Sequence, residues 1–130
     1  MARSARPAGK IKRVYLPRER GDGKRVLVER LWPRGLTKEE AAVDVWLKDI
    51  APSPALRSWF GHDPKRWTEF RKRYRDEIAK NAGPLRELRE LCRSGPVTLV
   101  YAARDETHNG ARVLLELLEG KSDGREEATR

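Results

Sequence analysis

Two short stretches of the sequence place polar side chains capable of chemistry directly after apolar runs. The first, ERLWPRGL (29–36), carries two arginines around a tryptophan. The second, YAARDETHNGA (101–111), adds basic, acidic and imidazole groups after an apolar run. Guanidinium groups are planar and present paired N–H donors that match a carboxylate or a phosphate. The two stretches therefore predict an anion-binding site, whose ligand-binding residues are Arg30, Trp32, Arg34, Arg104 and Asn109.

Three residues of the second stretch are candidates for catalysis. An imidazole such as that of His108 titrates near neutral pH, and Asp105 or Tyr101 could take part in proton transfer beside it. The sequence contains no GxGxxG, GxxxxGK[ST], GxSxG or HExxH motif, so it names no reaction and no cofactor. Whether the chain is an enzyme is left open. Two histidines and scattered carboxylates lack metal-ligand spacing, so we predict no metal site.

The same residue types also occur in loops that only stabilise the fold. Arg30 and Arg34 could lock loops through ion pairs instead of binding a ligand. Asp105 or Thr107 could simply cap the last helix. The possible partners of the two arginines are Glu29, Asp49 and Asp105.

Several other residues that could do chemistry have simpler interpretations. His62 is expected to be a loop residue between two helix ends, and Cys92 a small buried thiol. Trp59 and Trp67 have helical core spacing, and Trp67 begins an apolar stripe. The sequence alone does not place Arg57, which could join the pocket or merely cover it.

Three apolar runs predict β-strands. Residues 11–16 and 24–31 alternate apolar and polar positions, and residues 97–103 (VTLVYAA) are almost continuously apolar, as in a strand buried on both faces. Residues 44–51 are expected to form a short strand or extended segment. The link between the first two strands is short and favours a hairpin, because a parallel crossover ordinarily needs about a dozen residues or more.

Capping signals predict the helices. Thr37 and Glu40 have the spacing of a capping box. Ser53 and Asp63 are each followed by a proline, which is the arrangement of an N-cap and a first helical residue. The helical stretches are LTKEEAAV (36–43), PSPALRSWF (52–60), PKRWTEFRKRYRDEIAKN (64–81), LRELRELC (85–92) and THNGARVLLELLEG (107–120).

Strands interleaved with helices predict an α/β fold, a sheet flanked by helices, in a single domain over residues 11–119. The basic residues 1–10 and the polar residues 120–130 lack apolar periodicity and are expected to be disordered tails. Ligands of open α/β sheets bind beyond the carboxyl ends of the strands. If the strands are parallel, the two polar stretches lie at the same edge of the sheet.

The segments RLWPRG, WLKDIAPS, WFGHDP and VTLVYAA, in this order, resemble the YeaO-like branch of domain-of-unknown-function family 488 over about residues 11–119. The resemblance implies a small cytoplasmic bacterial α/β protein and no particular activity. It also implies a helix between the first two strands of longer relatives, which favours a mainly parallel sheet over the hairpin. Glu29 stands where the family usually has Asp. The sequence His108–Asn109–Gly110 stands where HNN is common in the family, so it differs at Gly110. Because the longer side chain changes the reach of the carboxylate, Glu29 is not among the catalytic candidates.

The net charge of +9 is concentrated near the N-terminus. Residues 1–34 contain 11 Lys and Arg against three Asp and Glu, whereas residues 35–130 contain 18 against 17. The basic segment could bind nucleic-acid phosphates, as could RKRYR (71–75). A solubilising tail is the favoured interpretation of the first, and a solvated helix face with Glu/Arg pairs is the favoured interpretation of the second. A single cysteine suits a reducing compartment, and no apolar run is long enough to cross a membrane. We therefore expect a cytoplasmic protein without membrane contact.

The sequence favours one function and leaves two alternatives. The favoured function is binding of a small phosphate-bearing or carboxylate ligand in an Arg-rich pocket at the carboxyl ends of the strands. A noncatalytic regulatory or interaction module is the first alternative, and a nucleic-acid accessory protein is the second. The oligomeric state is not indicated.

Overall fold

Four short parallel strands form the centre of the protein. In the computed structural model, which describes residues 9–120, their order across the sheet is β1-β4-β2-β3. The α/β class and the mainly parallel sheet are therefore confirmed. The predicted tails, 1–10 and 120–130, lie outside the described residues except for residues 9, 10 and 120. The strands are β1 (Lys10–Arg13), β2 (Lys24–Leu27), β3 (Val45–Trp46) and β4 (Val97–Tyr101).

The hairpin expected from the short link between the first two strands is wrong. β1 ends at Arg13, earlier than its apolar pattern suggests, so the connection extends over residues 14–23, and β4 lies between β1 and β2. The connection crosses one face of the sheet through a turn of 3-10 helix at Arg20–Asp22. Because the chain crosses the face in this turn rather than in a full α-helix, ten residues are enough for a parallel connection.

Five α-helices accompany the sheet in residues 9–120, and the first two begin at the predicted caps. Thr37 and Glu40 form the reciprocal hydrogen bonds of a capping box, and Ser53 Oγ accepts from the N–H of Leu56. Asp63 caps a 3-10 turn that leads into the third helix. The helices are α1 (Lys38–Ala41), α2 (Pro54–Phe60), α3 (Trp67–Lys80), α4 (Gly83–Ser94) and α5 (Gly110–Leu118).

The last helix begins later than predicted and has a different cap. Neither Asp105 nor Thr107 caps α5; the side chain of Asn109 accepts from the N–H of Arg112 at 2.9 Å. The physical reason is that the carboxylate of Asp105 is already engaged by the N–H groups of Thr107 and His108 in the preceding loop. α5 therefore starts at Gly110.

The two faces of the sheet are covered differently. Helices α2 to α5 pack on one face, where Phe70, Tyr74 and Leu114 are buried against β2 and β4. Trp59 and Trp67 are partly buried against this core, as predicted. Loop segments and α1 cover the other face through a smaller cluster. That cluster consists of Val14, Leu27, Ala41 and Val100, with Trp32 and Trp46 packed against it.

The second face also buries a charged cluster. Arg25 and Asp22 are fully buried and form an ion pair of 3.1 Å, and Lys12 Nζ lies 3.1 Å from the same carboxylate. Burial alone would raise the pKa of Asp22, but hydrogen bonds from the N–H of Glu19 and from the cations outweigh it and hold this pKa well below its usual range. The cluster fixes the 14–23 connection onto the sheet.

No α-helix within residues 9–120 combines the length and the apolar character needed to cross a bilayer.

Candidate functional site

The two polar stretches meet at the carboxyl edge of the sheet, between β2 and β4. Glu29 and Arg30 follow the end of β2, and Ala102 and Ala103 follow the end of β4. The Glu29 Oε2 atom accepts a hydrogen bond from the N–H of Ala102 at 3.1 Å. Since the two strands are adjacent and parallel, this bond joins the loops that follow them.

A small pocket, the strand-end pocket, opens beside Glu29. Its volume is about 60 Å³. One wall is apolar and includes Phe60 and Phe70, which are buried and stacked with ring centroids 4.3 Å apart. The main chain at the start of α5, residues 109–111, forms another part of the lining. The polar side chains that line the pocket are Glu29, Arg30, Arg57, His62 and Asn109.

Glu29 is the acid of the strand-end pocket. Burial raises its pKa above the usual range, because a desolvated carboxylate loses the stabilisation that water gives its charge. The N–H of Ala102 and the charges of Arg57 and His62 offset part of this effect. The carboxyl of Glu29 is therefore held at the strand end with a weakened preference for its charged form.

Arg30 is held by main-chain oxygens. Its Nη2 atom donates to the carbonyl oxygens of Ala51 and Pro52 at 3.4 Å each, which are long hydrogen bonds. Its Nε atom is buried without a hydrogen-bond partner. Arg30 forms no ion pair with Glu29, Asp49 or any other acid of residues 9–120, so the loop-locking role predicted for it takes the form of carbonyl contacts.

Arg57 and His62 reach the pocket from the end of α2. The helix stops at Gly61, whose N–H bonds to the Arg57 carbonyl oxygen, and both Gly61 and His62 have left-handed backbone conformations. This tight turn places the His62 ring 6.2 Å from the Phe60 ring. Arg57 itself is exposed, so its guanidinium stands at the mouth of the pocket.

The structure does not bring all the predicted ligand-binding residues together. Arg30 and Asn109 line the strand-end pocket, but the Asn109 side chain is occupied by the α5 cap and by the Asp105 carbonyl oxygen. Trp32 packs on the opposite face of the sheet, where its Nε1–H donates to the carbonyl oxygen of Leu36. The side chains of Arg34 and Arg104 are exposed and do not line the pocket.

Two of the three candidate catalytic residues form a pair beside the pocket. His108 Nδ1 lies 2.9 Å from Asp105 Oδ2, and its ring contacts Trp67 edge-on at 5.2 Å. The N–H of Thr107 and then the His108 ring hold the pKa of Asp105 well below its usual range. Tyr101 is buried inside β4, where burial raises its pKa. His108, Asp105 and Tyr101 are not part of the pocket lining.

Arg30 also borders a second and larger cleft, of about 320 Å³, between the 49–53 segment and helices α3 and α4. Acidic and basic side chains alternate around it, so its charge selects no ligand class. The Ser53 hydroxyl and N–H already bond to the Glu77 carboxylate at 2.5 and 2.9 Å. In the part of the chain that the structure describes, no three His, Cys, Asp or Glu side chains are grouped so that they could hold a metal ion.

Comparison with known proteins identifies the family. A family profile described as "Inactive DUF488-N3 subclade" matches residues 9–130. The chain belongs to this family. "Uncharacterized protein Rv3073c" of Mycobacterium tuberculosis is 44% identical over 112 residues, which are 86% of this chain and 94% of that protein. "Uncharacterized protein YeaO" of Escherichia coli (strain K12) is 42% identical over 107 residues, 82% of this chain and 93% of that protein.

These matches confirm the resemblance to the YeaO-like branch of family 488. No solved structure matches the DUF488 chain significantly.

Sequence reasoning underestimated three residues of this DUF488 pocket. From the sequence, Glu29 is not a catalytic candidate because its side chain is longer than the usual Asp, and His62 is expected to be a plain loop residue. Arg57 had no place because its reach depends on where α2 ends. The one available signal was the position of Glu29, an acid that follows a buried strand at the edge where ligands bind.

Proposed function

We propose that the protein is a noncatalytic cytoplasmic protein that binds a small carboxylate ligand in the strand-end pocket. The observation that carries this proposal is the pair of guanidinium groups, Arg30 and Arg57, around one acid whose charge is disfavoured by burial. Two cations against one acid leave a net positive pocket, which favours an anion.

The start of α5 adds to the attraction for an anion. The first N–H groups of a helix have no acceptor within the helix, and they carry the positive end of its dipole. Asn109 satisfies the N–H of Arg112, which leaves those of Gly110 and Ala111 at the pocket wall. A carboxylate between these N–H groups and Arg57 would receive charge-assisted hydrogen bonds.

The size and lining of the pocket favour a short organic acid. Pockets that hold drug-sized ligands have volumes of roughly 300–1,000 Å³, so a site of about 60 Å³ is too small for a nucleotide. The wall formed by Phe60 and Phe70 suits an aliphatic body attached to the carboxylate. This narrows the predicted ligand class from phosphate or carboxylate to carboxylate.

The noncatalytic part of the proposal rests on two observations. The family to which the chain belongs is described as an inactive subclade, and we extend that description to this protein. In addition, the Asp105–His108 pair lies outside the pocket lining, and His62, the imidazole that does line the pocket, forms no hydrogen bond with a carboxylate of residues 9–120. Nucleic-acid binding stays an alternative prediction, since the basic N-terminal residues lie largely outside the described part of the chain.

The test is a nitrogen-15 NMR titration with acetate, propionate and inorganic phosphate, with chloride at matched ionic strength as the reference. We expect propionate to shift the amide signals of Ala102, Gly110 and Ala111 with a dissociation constant on the order of 1 mM. Arg57→Gln should weaken this binding by roughly tenfold, since a hydrogen bond to a charged group contributes about 1.5–3 kcal/mol.

A matched control is available on another helix. Arg86 is exposed on α4, so Arg86→Gln changes the net charge equally without touching the pocket, and it should bind propionate like the wild type. If Arg57→Gln and Arg86→Gln weaken propionate binding equally, the loss comes from the change in net charge and not from a contact in the pocket. If phosphate binds more tightly than propionate and shifts the same amide signals, the ligand class is phosphate and not carboxylate. If no anion shifts these signals, the proposal is refuted.

A further inference from the structure

The exposed large apolar side chains of residues 9–120 all lie at one edge of the sheet. Tyr15 and Leu16 follow β1 and are 39% and 46% exposed, and Leu31 follows β2 and is 62% exposed. β1 and β2 are parallel to the same neighbour, β4, so both loops emerge at the carboxyl edge. Scattered apolar side chains are ordinary on protein surfaces, but their collection at one edge is informative.

Arginines connect and border these apolar side chains. The Arg13 guanidinium lies 5.0 Å from the centre of the Tyr15 ring and donates to the carbonyl oxygen of Ala103 at 2.9 Å. The Tyr15 hydroxyl donates to the carbonyl oxygen of Arg34 at 3.0 Å. These contacts link the loops that follow β1, β2 and β4. The resulting arginine-rimmed patch consists of Arg13, Tyr15, Leu16, Leu31, Arg34 and Arg104.

The charges of the arginine-rimmed patch are only partly compensated within the described chain. Arg13 bonds to carbonyl oxygens, and neither Arg34 nor Arg104 forms an ion pair with an acid of residues 9–120. Asp105 and Glu106 follow Arg104 in the sequence, and counting both carboxylates against Arg13, Arg34 and Arg104 leaves the patch with a net charge of about +1. Among the other exposed arginines of residues 9–120, Arg73 and Arg93 pair with Glu69 and Glu90, whereas Arg57 and Arg86 form no ion pair with an acid of these residues.

The loop that presents Leu31 is well supported from below. Trp32 donates its Nε1–H to the Leu36 carbonyl oxygen at 2.7 Å and contacts the Trp46 ring edge-on at 5.3 Å. Pro33 is buried beneath the loop. The packed Trp32 therefore holds the loop so that Leu31 points outward. Because the loop is already fixed, little conformational entropy would be lost from it when a partner binds.

We propose that the arginine-rimmed patch docks an acidic segment of a partner protein that places aliphatic or aromatic side chains on Leu31 and Tyr15. Arginine and tyrosine are enriched in protein interfaces, and guanidinium groups without an acidic partner of their own favour acids opposite them. A second copy of this chain would bring like charges together at the same patch. The patch shares no residue with the lining of the strand-end pocket, so this proposal is independent of the carboxylate ligand.

The experiment uses the full chain and two synthetic peptides of equal charge. In nitrogen-15 NMR titrations, Ac-DEELFDEL-NH2 should shift the amide signals of residues 13–16 and 31–35, and added salt should weaken the binding. Ac-DEESSDES-NH2, which keeps the acids and removes the apolar side chains, should bind at least fivefold more weakly. Vesicles that contain phosphatidylglycerol are the third probe.

Two surface variants test the patch itself. Leu31→Ser and Arg34→Gln alter exposed side chains, so the fold should be kept, and each should weaken the apolar peptide at least fivefold. Arg86→Gln on α4 is the matched charge control and should bind like the wild type. Equal binding of the two peptides, shifts elsewhere on the protein, or binding of vesicles without binding of the apolar peptide would each overturn the proposal.

Discussion

The buried Arg25 side chain should contribute more to stability than any exposed arginine of the protein. Arg25 Nη1 donates to Asp22 at 3.1 Å, and Nη2 donates to three carbonyl oxygens. In Arg25→Met, Asp22 keeps its two lysine partners, Lys10 and Lys12, but loses the buried guanidinium. The three carbonyl oxygens lose their hydrogen-bond donor. These oxygens belong to Val14, Leu16 and Ala41.

The expected loss in the free energy of unfolding is about 3–5 kcal/mol, the usual effect of removing one partner of a buried ion pair. For a chain of this length, 4 kcal/mol corresponds to a decrease in Tm of about 15 °C. The matched control is Arg93→Met. Arg93 pairs with Glu90 on the surface of α4, with both side chains mostly exposed, so its loss should cost less than about 1 kcal/mol.

The assay is urea unfolding followed by tryptophan fluorescence, with Tm from calorimetry. If Arg25→Met and Arg93→Met lose equal amounts of stability, the structural role assigned to the buried cluster is refuted. The pH dependence gives a second check. Since the pKa of Asp22 is lowered in the folded state, its contribution is present above its usual value of 3.8 and is lost as the pH falls below it. Asp22→Asn should remove this part of the acid sensitivity.

Three further substitutions test other parts of the structure. Glu29→Gln should stabilise the protein at neutral pH, because a carboxyl whose pKa is raised by burial opposes folding when it is charged. The gain should shrink as the pH falls from neutral towards 4.5, the usual value of the carboxyl, and should level off below it. A pH series of urea midpoints measures this, and a difference that stays constant between neutral pH and 4.5 contradicts it. Gly23→Ala should lower the free energy of unfolding by at least about 3 kcal/mol. Gly23 has a φ of +63°, and an added Cβ would lie 2.2 Å from the Pro96 carbonyl oxygen. Gly35 also has a positive φ, but the space around its added Cβ is open, so Gly35→Ala should lower the free energy of unfolding by only about 1–2 kcal/mol. Equal losses of stability in Gly23→Ala and Gly35→Ala would argue against the clash with the Pro96 carbonyl oxygen.

The caps at Thr37, Ser53 and Asp63 were predictable because their signals are local, whereas the cap of α5 lies at Asn109 and not at a predicted residue. A hydroxyl or carboxylate before a proline, as at Ser53 and Asp63, satisfies free N–H groups whatever the rest of the chain does. The direction of β2 relative to β1 was not predictable in this way. The length of the link suggested a hairpin, but strand pairing is decided by β4, which lies much later in the sequence.

The candidate site was predictable only in part, because some of its residues are positioned by contacts that are distant in the sequence. Arg30 follows a strand directly, so its edge of the sheet could be inferred from the sequence. Arg57 reaches the pocket only because α2 stops at Gly61 and packs beside α3, which no local pattern encodes. Trp32 follows the same strand as Arg30, but the intervening turn directs it to the opposite face, where it packs with Trp46.

The position of β4 has a consequence for how the protein folds during synthesis. β4 is the last strand in the sequence, yet it is the only hydrogen-bonded neighbour of β1 among the described strands and lies between β1 and β2. Lys10 pairs with Thr98, so the first strand has no place in the sheet until the ribosome has made nearly the whole described chain. Contacts between residues so distant in sequence slow folding. A nascent chain that ends before Val97 leaves β1 without a partner and exposes the edge of β2 that later pairs with β4. This is the stage at which aggregation would compete with folding.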